Sequence, residues 1–155
     1  MANIDDIAKL QPFDASSYRV GMVVGLFNGH ITEPMKELAL KTLVSDYGVT
    51  AEHIYVVEVA GAADMPAVLE ALAGKDKIDC LISIAAIIRG ETAHFDFVAR
   101  IITDAVREIQ VKHAKPVAFG VLTVNTQEQA KARVIDAKGY TAAALHAARS
   151  IKELG

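Results

Sequence analysis

Four short runs of mostly β-branched and aliphatic residues recur along the chain, and each is followed by a stretch in which apolar residues return at helical spacing. The runs are Arg19 to Leu26, His53 to Val59, Asp79 to Ile88 and Pro116 to Val124. After the first, Asn28-Gly29 breaks the run and Glu33-Pro34 opens a helical pattern at Met35, Leu38, Ala39, Thr42 and Leu43. After the second, Gly61 and Pro66 mark a turn and Met65 to Ala73 fits a short helix. The third is followed by Val98, Ile101, Ile102, Ala105, Val106 and Ile109 at helical spacing. After the fourth, Thr126-x-Glu128 opens a helical run ending at Arg133, and Gly139 separates it from an Ala-rich helix, Thr141 to Leu154. Strands joined through helices run parallel, because a crossover returns the chain to the end of the sheet at which the previous strand began. Right-handed crossovers place helices on both faces, so the pattern predicts an α/β chain folded as a three-layer αβα sandwich around a four-stranded parallel sheet. The nearly unbroken apolar third run suits a strand covered on both sides.

A length of 155 residues sets the expectation of one domain, Arg19 to Gly155, preceded by an N-terminal segment, Met1 to Tyr18. With no Trp and few aromatics, the core is expected to be aliphatic. The net charge of −3, without any basic cluster, argues against nucleic acid as a partner, since phosphate-backbone affinity requires grouped Lys and Arg. The single Cys80 cannot form an internal disulfide and reads as a buried thiol of a reduced compartment. Residues 1–18 lack the hydrophobic core of a signal peptide, and no apolar run approaches the ~20 residues needed to span a bilayer. The expectation is a cytoplasmic protein that engages no membrane.

Ligands of open parallel sheets bind beyond the carboxyl ends of the strands. The turns to inspect are therefore Phe27-Asn28, Gly61 to Pro66, Arg89 to His94 and Thr123 to Gln129. The segment Ile88 to Val98 (IRGETAHFDFV) is the most informative, because Arg89 and Gly90 interrupt an apolar strand and a polar cluster opens the next helix. Free backbone N–H groups and the positive helix end favour an anion at Gly90 to Thr92, with the Thr92 hydroxyl as a further donor. An ordinary helix start capped by Thr92 fits the same residues. His94 suits general acid–base work, since an unperturbed histidine titrates at ~6.5, and it equally suits a hydrogen-bonded surface role. His30, His53, His113 and His146 are read as structural. No pair of histidines has metal-ligand spacing with a Cys or carboxylate partner, and no metal is proposed. Phe27, at a turn, either stacks on a planar heterocycle or simply packs. Arg133 either clamps a phosphate or ends its helix in solvent. The glycines form no phosphate loop or dinucleotide fingerprint, so no cofactor is expected.

Taken in order along the chain, these segments resemble lumazine synthase. Phe27-Asn28-x-x-Ile31-Thr32, Val59 to Pro66 (VAGAADMP), Ile88 to Val98, and Phe119 to Thr123 (FGVLT) with Glu128-Gln129-Ala130 and Arg133 are similar to that family's motifs. The resemblance implies a flavodoxin-like sandwich and a transferase of riboflavin biosynthesis. The implied reaction condenses 5-amino-6-(D-ribitylamino)uracil with 3,4-dihydroxy-2-butanone 4-phosphate to 6,7-dimethyl-8-ribityllumazine, without cofactor or metal. It also implies roles by position. Phe27 stacks on the pyrimidine ring, Ala62, Ala63 and Asp64 border the ribityl chain, and Ala86, Ile87 and Ile88 line the ring site. Gly90, Glu91, Thr92 and Arg133 bind the phosphate, and His94 moves protons. Phe119 and Arg133 come from the neighbouring subunit of a homopentamer or a multiple of it. The chain departs from the family's usual residues at Ala60, Ala63, Asp64 and Ala85, where Pro, a bulky residue, Glu and Gly are common.

Two other readings fit parts of the sequence. A catalytically weak paralogue that binds flavin or lumazine would suit the lost bulk at Ala63, whereas His94, Arg133 and the Gly90 to Thr92 turn favour the enzyme. A flavodoxin-like FMN redox protein would need a Ser/Thr-rich phosphate loop after the first strand, where this chain has Phe27-Asn28-Gly29.

Overall fold

The computed structural model describes residues 4–155; of the expected N-terminal segment, Met1 to Asn3 lie outside the described residues. Four strands, β1 (Val20–Gly25), β2 (Ile54–Val59), β3 (Cys80–Ile88) and β4 (Val117–Val124), form one parallel sheet in the order β2-β1-β3-β4. The helices are α1 (Gly29–Lys41), α2 (Met65–Ala73), α3 (His94–His113), α4 (Gln127–Ala132) and α5 (Ala137–Leu154). The three-layer sandwich expected from the alternation is the fold observed.

Side-chain alternation along the strands feeds two separate cores. Val20, Met22 and Val24 of β1 and Cys80, Ile82, Ile84 and Ala86 of β3 pack with Ile31, Met35 and Ala39 of α1 and Leu145 and Ala148 of α5. Val23, Leu81, Ala85 and Ile87 face the other way, onto Leu69 and Leu72 of α2 and Ile102, Val106 and Ile109 of α3. Every residue of β1 is buried and β3 emerges only at Ile88, so the central strands are covered on both faces, as the apolar third run required. Burial drives the Cys80 thiol up to about 12, so it stays protonated at neutral pH. Ala15 and Tyr18 belong to the first core, and the Ala15 N–H donates to the Tyr47 carbonyl at 2.8 Å.

Two helix boundaries differ from the sequence pattern. α1 begins at Gly29, not near Glu33-Pro34, because Asn28 adopts a left-handed conformation (φ 57°, ψ 44°) that turns the chain directly out of β1 into the helix. Pro34 then sits inside α1, where its ring forgoes one backbone bond near the helix start. α5 begins at Ala137 and runs through Gly139. A glycine costs a helix about 1 kcal/mol relative to Ala, and here the burial of Ala137, Ala142, Ala144 and Leu145 outweighs it. By contrast, α4 starts where Thr126 predicted, with the Thr126 Oγ1 accepting from the Gln129 N–H at 3.1 Å.

Candidate active site

The strand order places a switch point between β1 and β3, where the crossovers leave in opposite directions and the strand ends part. A cavity of about 260 Å³ opens there. Phe27 and Asn28 border it from the end of β1, Gly61 to Asp64 from the turn after β2, Ala85 to Ile88 from the end of β3, and His94 and Val98 from α3. Eight of the residues implied by the resemblance thus share one wall: Phe27, Ala62, Ala63, Asp64, Ala86, Ile87, Ile88 and His94. A larger cavity of about 400 Å³ lies beneath Leu10, Tyr47 and Ala142, and includes none of them.

Phe27 is 68% exposed, although it is a large apolar ring. It is held from behind: the Phe27 N–H donates to the Ala60 carbonyl at 2.9 Å, and its ring rests on the bare backbone of Gly61. A Cβ on Gly61 would come within 2.5 Å of Phe27 Cδ2, so this approach requires glycine. One face of the ring is thereby left for a planar partner. Asp64 closes the turn on itself. Its carboxylate accepts from the Gly61 N–H at 3.1 Å, while the Asp64 N–H donates to the Gly61 carbonyl at 3.0 Å. Asn28 was given no role of its own from the sequence, yet it lines the cavity and its side-chain amide donates to the Ala86 carbonyl at 2.9 Å, tying the end of β1 to that of β3. The available signal was an αL-tolerant residue directly after a strand.

The Gly90 to Thr92 turn is exposed and leads into α3. The Thr92 Oγ1 accepts from the His94 N–H at 3.3 Å, while the cap position itself is Ala93 and carries no side-chain cap. Thr92 therefore bonds two residues ahead, and its own O–H remains a donor. His94 is exposed, and its imidazole has no hydrogen-bond partner among the described residues, in contrast to the other four histidines. His30 bonds Gln127 at 2.6 Å, His53 the Ser16 carbonyl at 3.1 Å, His113 Glu70 at 2.9 Å and His146 Tyr47 at 3.0 Å.

Phe119 and Arg133 do not reach the cavity of their own chain. Phe119 pairs with Ser83, well short of the carboxyl end of β3, and lies 36% exposed on the edge strand β4. Arg133 folds back on its own helix, donating to the Gln129 carbonyl at 3.0 Å. The fourth turn, Thr123 to Gln129, likewise contributes nothing to this cavity.

Residues 17–154 match the family model of 6,7-dimethyl-8-ribityllumazine synthase. A protein of that name from Nitrosospira multiformis is 36% identical over 144 residues, covering 92% of this chain and 89% of that protein. Another, from Methylibium petroleiphilum, is 41% identical over 125 residues, covering 81% and 77% respectively. A match over nearly the whole chain, joined to the parallel sheet and the cavity at its switch point, shows that this chain belongs to the 6,7-dimethyl-8-ribityllumazine synthase family.

Proposed function

We infer that this protein is a lumazine synthase: a transferase that condenses 5-amino-6-(D-ribitylamino)uracil with 3,4-dihydroxy-2-butanone 4-phosphate in riboflavin biosynthesis. The observation that carries the reading is the convergence of Phe27, Asp64, Ala86 to Ile88 and His94 on one cavity, in a chain whose residues 17–154 match the family. The aromatic amine attacks the ketone carbon and an imine forms with loss of water. Phosphate then leaves as the chain loses a proton beside the imine, and ring closure by the ribityl-bearing nitrogen releases a second water. These steps call for held reactants, proton transfer and a neutralised phosphate.

Each cavity residue suits one part of that task. The open face of Phe27 stacks on the pyrimidine, and the backbone edge of Ala86 to Ile88 reads its rim. The Asp64 carboxylate, anchored through one oxygen, offers the other to ribityl hydroxyls, with Ala62 and Ala63 alongside. Gly90, Glu91 and Thr92 present backbone and hydroxyl donors to the phosphate at the start of α3, whose dipole favours an anion. His94 takes and returns protons at the reacting carbons and nitrogens.

The site is completed between subunits. Phe119 and Arg133, remote from the cavity of their own chain, serve that of a neighbour in a homopentamer or a multiple of it. The exposed apolar residues Leu26, Phe97 and Ile101 support such an association. Residues 19–155 act as one domain, and the role of the segment before it is contact with a neighbouring subunit. No helix among the described residues is long and apolar enough to cross a membrane, and the reaction is assigned to the cytoplasm.

The test is turnover of the two substrates by the purified protein, followed by Arg133→Ala. An Arg that clamps phosphate contributes ~1.5–3 kcal/mol through charge-assisted hydrogen bonds. KM for the sugar phosphate should rise roughly tenfold or more while that for the aminouracil stays nearly constant. Binding of flavin or lumazine without turnover would instead identify a carrier.

A further inference from the structure

We propose that Arg89 is a positioning residue that holds and neutralises Asp96 in the first turn of α3, so that the Gly90 to Thr92 turn receives a phosphate free of a competing carboxylate. The role rests on the lumazine-synthase reading and goes beyond it, since Arg89 is not among the residues that reading assigns to substrate.

The Arg89 side chain starts from a fixed point. Its backbone N–H donates to the Val124 carbonyl at 2.9 Å, adding a backbone bond between the ends of β3 and β4 just beyond the strand. From there the guanidinium is engaged on three sides. Nη1 and Nη2 donate to the two carboxylate oxygens of Asp96 at 3.3 and 3.2 Å, a two-pronged pairing that only the planar arginine fork can make. Nε donates to the Asn125 side-chain carbonyl at 3.2 Å. The cation also lies over the Phe95 ring, 4.2 Å from its centroid. Asn125 is itself fixed, its N–H donating to Gln129 Oε1 at 2.7 Å. Arg89 therefore links the start of α3 to the turn that begins α4.

The electrostatic consequence follows from where Asp96 sits. A carboxylate in the first turn of a helix is attracted by the same positive end that a phosphate would use. Unpaired, Asp96 would compete with and repel a dianion bound four to six residues earlier. Paired to Arg89, its charge is cancelled while the dipole and the free backbone donors remain. Three of its five donors are held by Asn125 and Asp96, and in this role Arg89 acts on the phosphate through Asp96 and the geometry of the turn.

The experiment compares wild type, Arg89→Ala, Asp96→Asn and the double variant by steady-state kinetics, with inorganic phosphate as competing anion. Arg89→Ala should raise KM for the sugar phosphate and the inhibition constant of phosphate about tenfold, the weight of one partly screened unit charge. KM for the aminouracil should stay within about twofold. Asp96→Asn alone should leave both phosphate-dependent constants within about twofold or lower them, and the double variant should recover most of the loss. A loss that persists in the double variant would make Arg89 a direct anion ligand and overturn the proposal. So would an Arg89→Ala enzyme with unchanged constants. If Arg89→Ala is insoluble, Arg89→Lys carries the comparison: a loss of about threefold rescued by Asp96→Asn supports the role, and an unrescued loss refutes it. Absent turnover in the wild type would instead refute the functional reading, and the role of Arg89 would fall with it.

Discussion

His94 is distinguished from the other histidines by what it lacks. Four imidazoles are tied to a protein partner, whereas His94 stands at the cavity with its ring unbonded among the described residues and its backbone N–H held by Thr92. A structural histidine shows the opposite arrangement, and this contrast supports the proton-transfer role proposed above. Acid–base groups contribute ~10²–10⁴-fold, but holding two reactants together already speeds this condensation. His94→Ala should therefore slow turnover by about one to two orders of magnitude, with melting temperature and assembly nearly unchanged. Full activity combined with a lowered melting temperature would return His94 to the structural, hydrogen-bonded role that the sequence left open. The sequence could not separate these two roles, because the spacing Glu91-Thr92-x-His94 serves either one. The choice depends on which groups surround the ring.

Two close approaches between elements separate site from scaffold. At Gly61 the neighbour is Phe27, an exposed ring that can swing away. Gly61→Ala should thus leave the melting temperature within a few degrees of wild type while raising KM for the aminouracil several-fold, as the stacking wall moves. At Gly120 the neighbour is backbone: an added Cβ would lie 2.5 Å from the Ser83 carbonyl oxygen and 3.3 Å from the Tyr140 ring. Neither β3 nor β4 can yield without losing ladder bonds, so Gly120→Ala should cost about 1–3 kcal/mol, read as a drop of several degrees in melting temperature. Equal thermal effects of the two substitutions would remove this distinction. Both glycines stand in segments that read as a turn and a strand, but the contact each one permits joins parts of the chain distant in sequence, 34 residues apart for Phe27 and Gly61.

At the scale of the whole molecule, the distribution of site residues predicts assembly. A site that draws Phe119 and Arg133 from a neighbour is incomplete in an isolated chain. Sedimentation of the purified protein should therefore give a pentamer or a multiple of it, with obligate interfaces on the order of 2,000 Å² or more. A stable monomer with full turnover would remove the shared site. The sequence by itself determined the order of strands and helices, because period 2 and period 3.6 patterns are local properties of consecutive residues and alternating them leaves only a parallel sheet. It also determined the boundaries of α2 and the start of α4, where Pro66 and Thr126 act on their own backbone. Only the tertiary structure decided the start of α1 and the continuity of α5, since Asn28 is locked to Ala86 across the sheet and Gly139 is carried by the burial of its neighbours. It alone decided which turns meet: Phe27-Asn28 and Gly61 to Asp64 border the cavity, the Arg89 to His94 turn reaches it only through His94, and the Thr123 to Gln129 turn does not reach it. Strand order selects among turns that look alike in sequence, because the gap that holds a ligand opens where two crossovers diverge, and that is a property of how the strands are arranged.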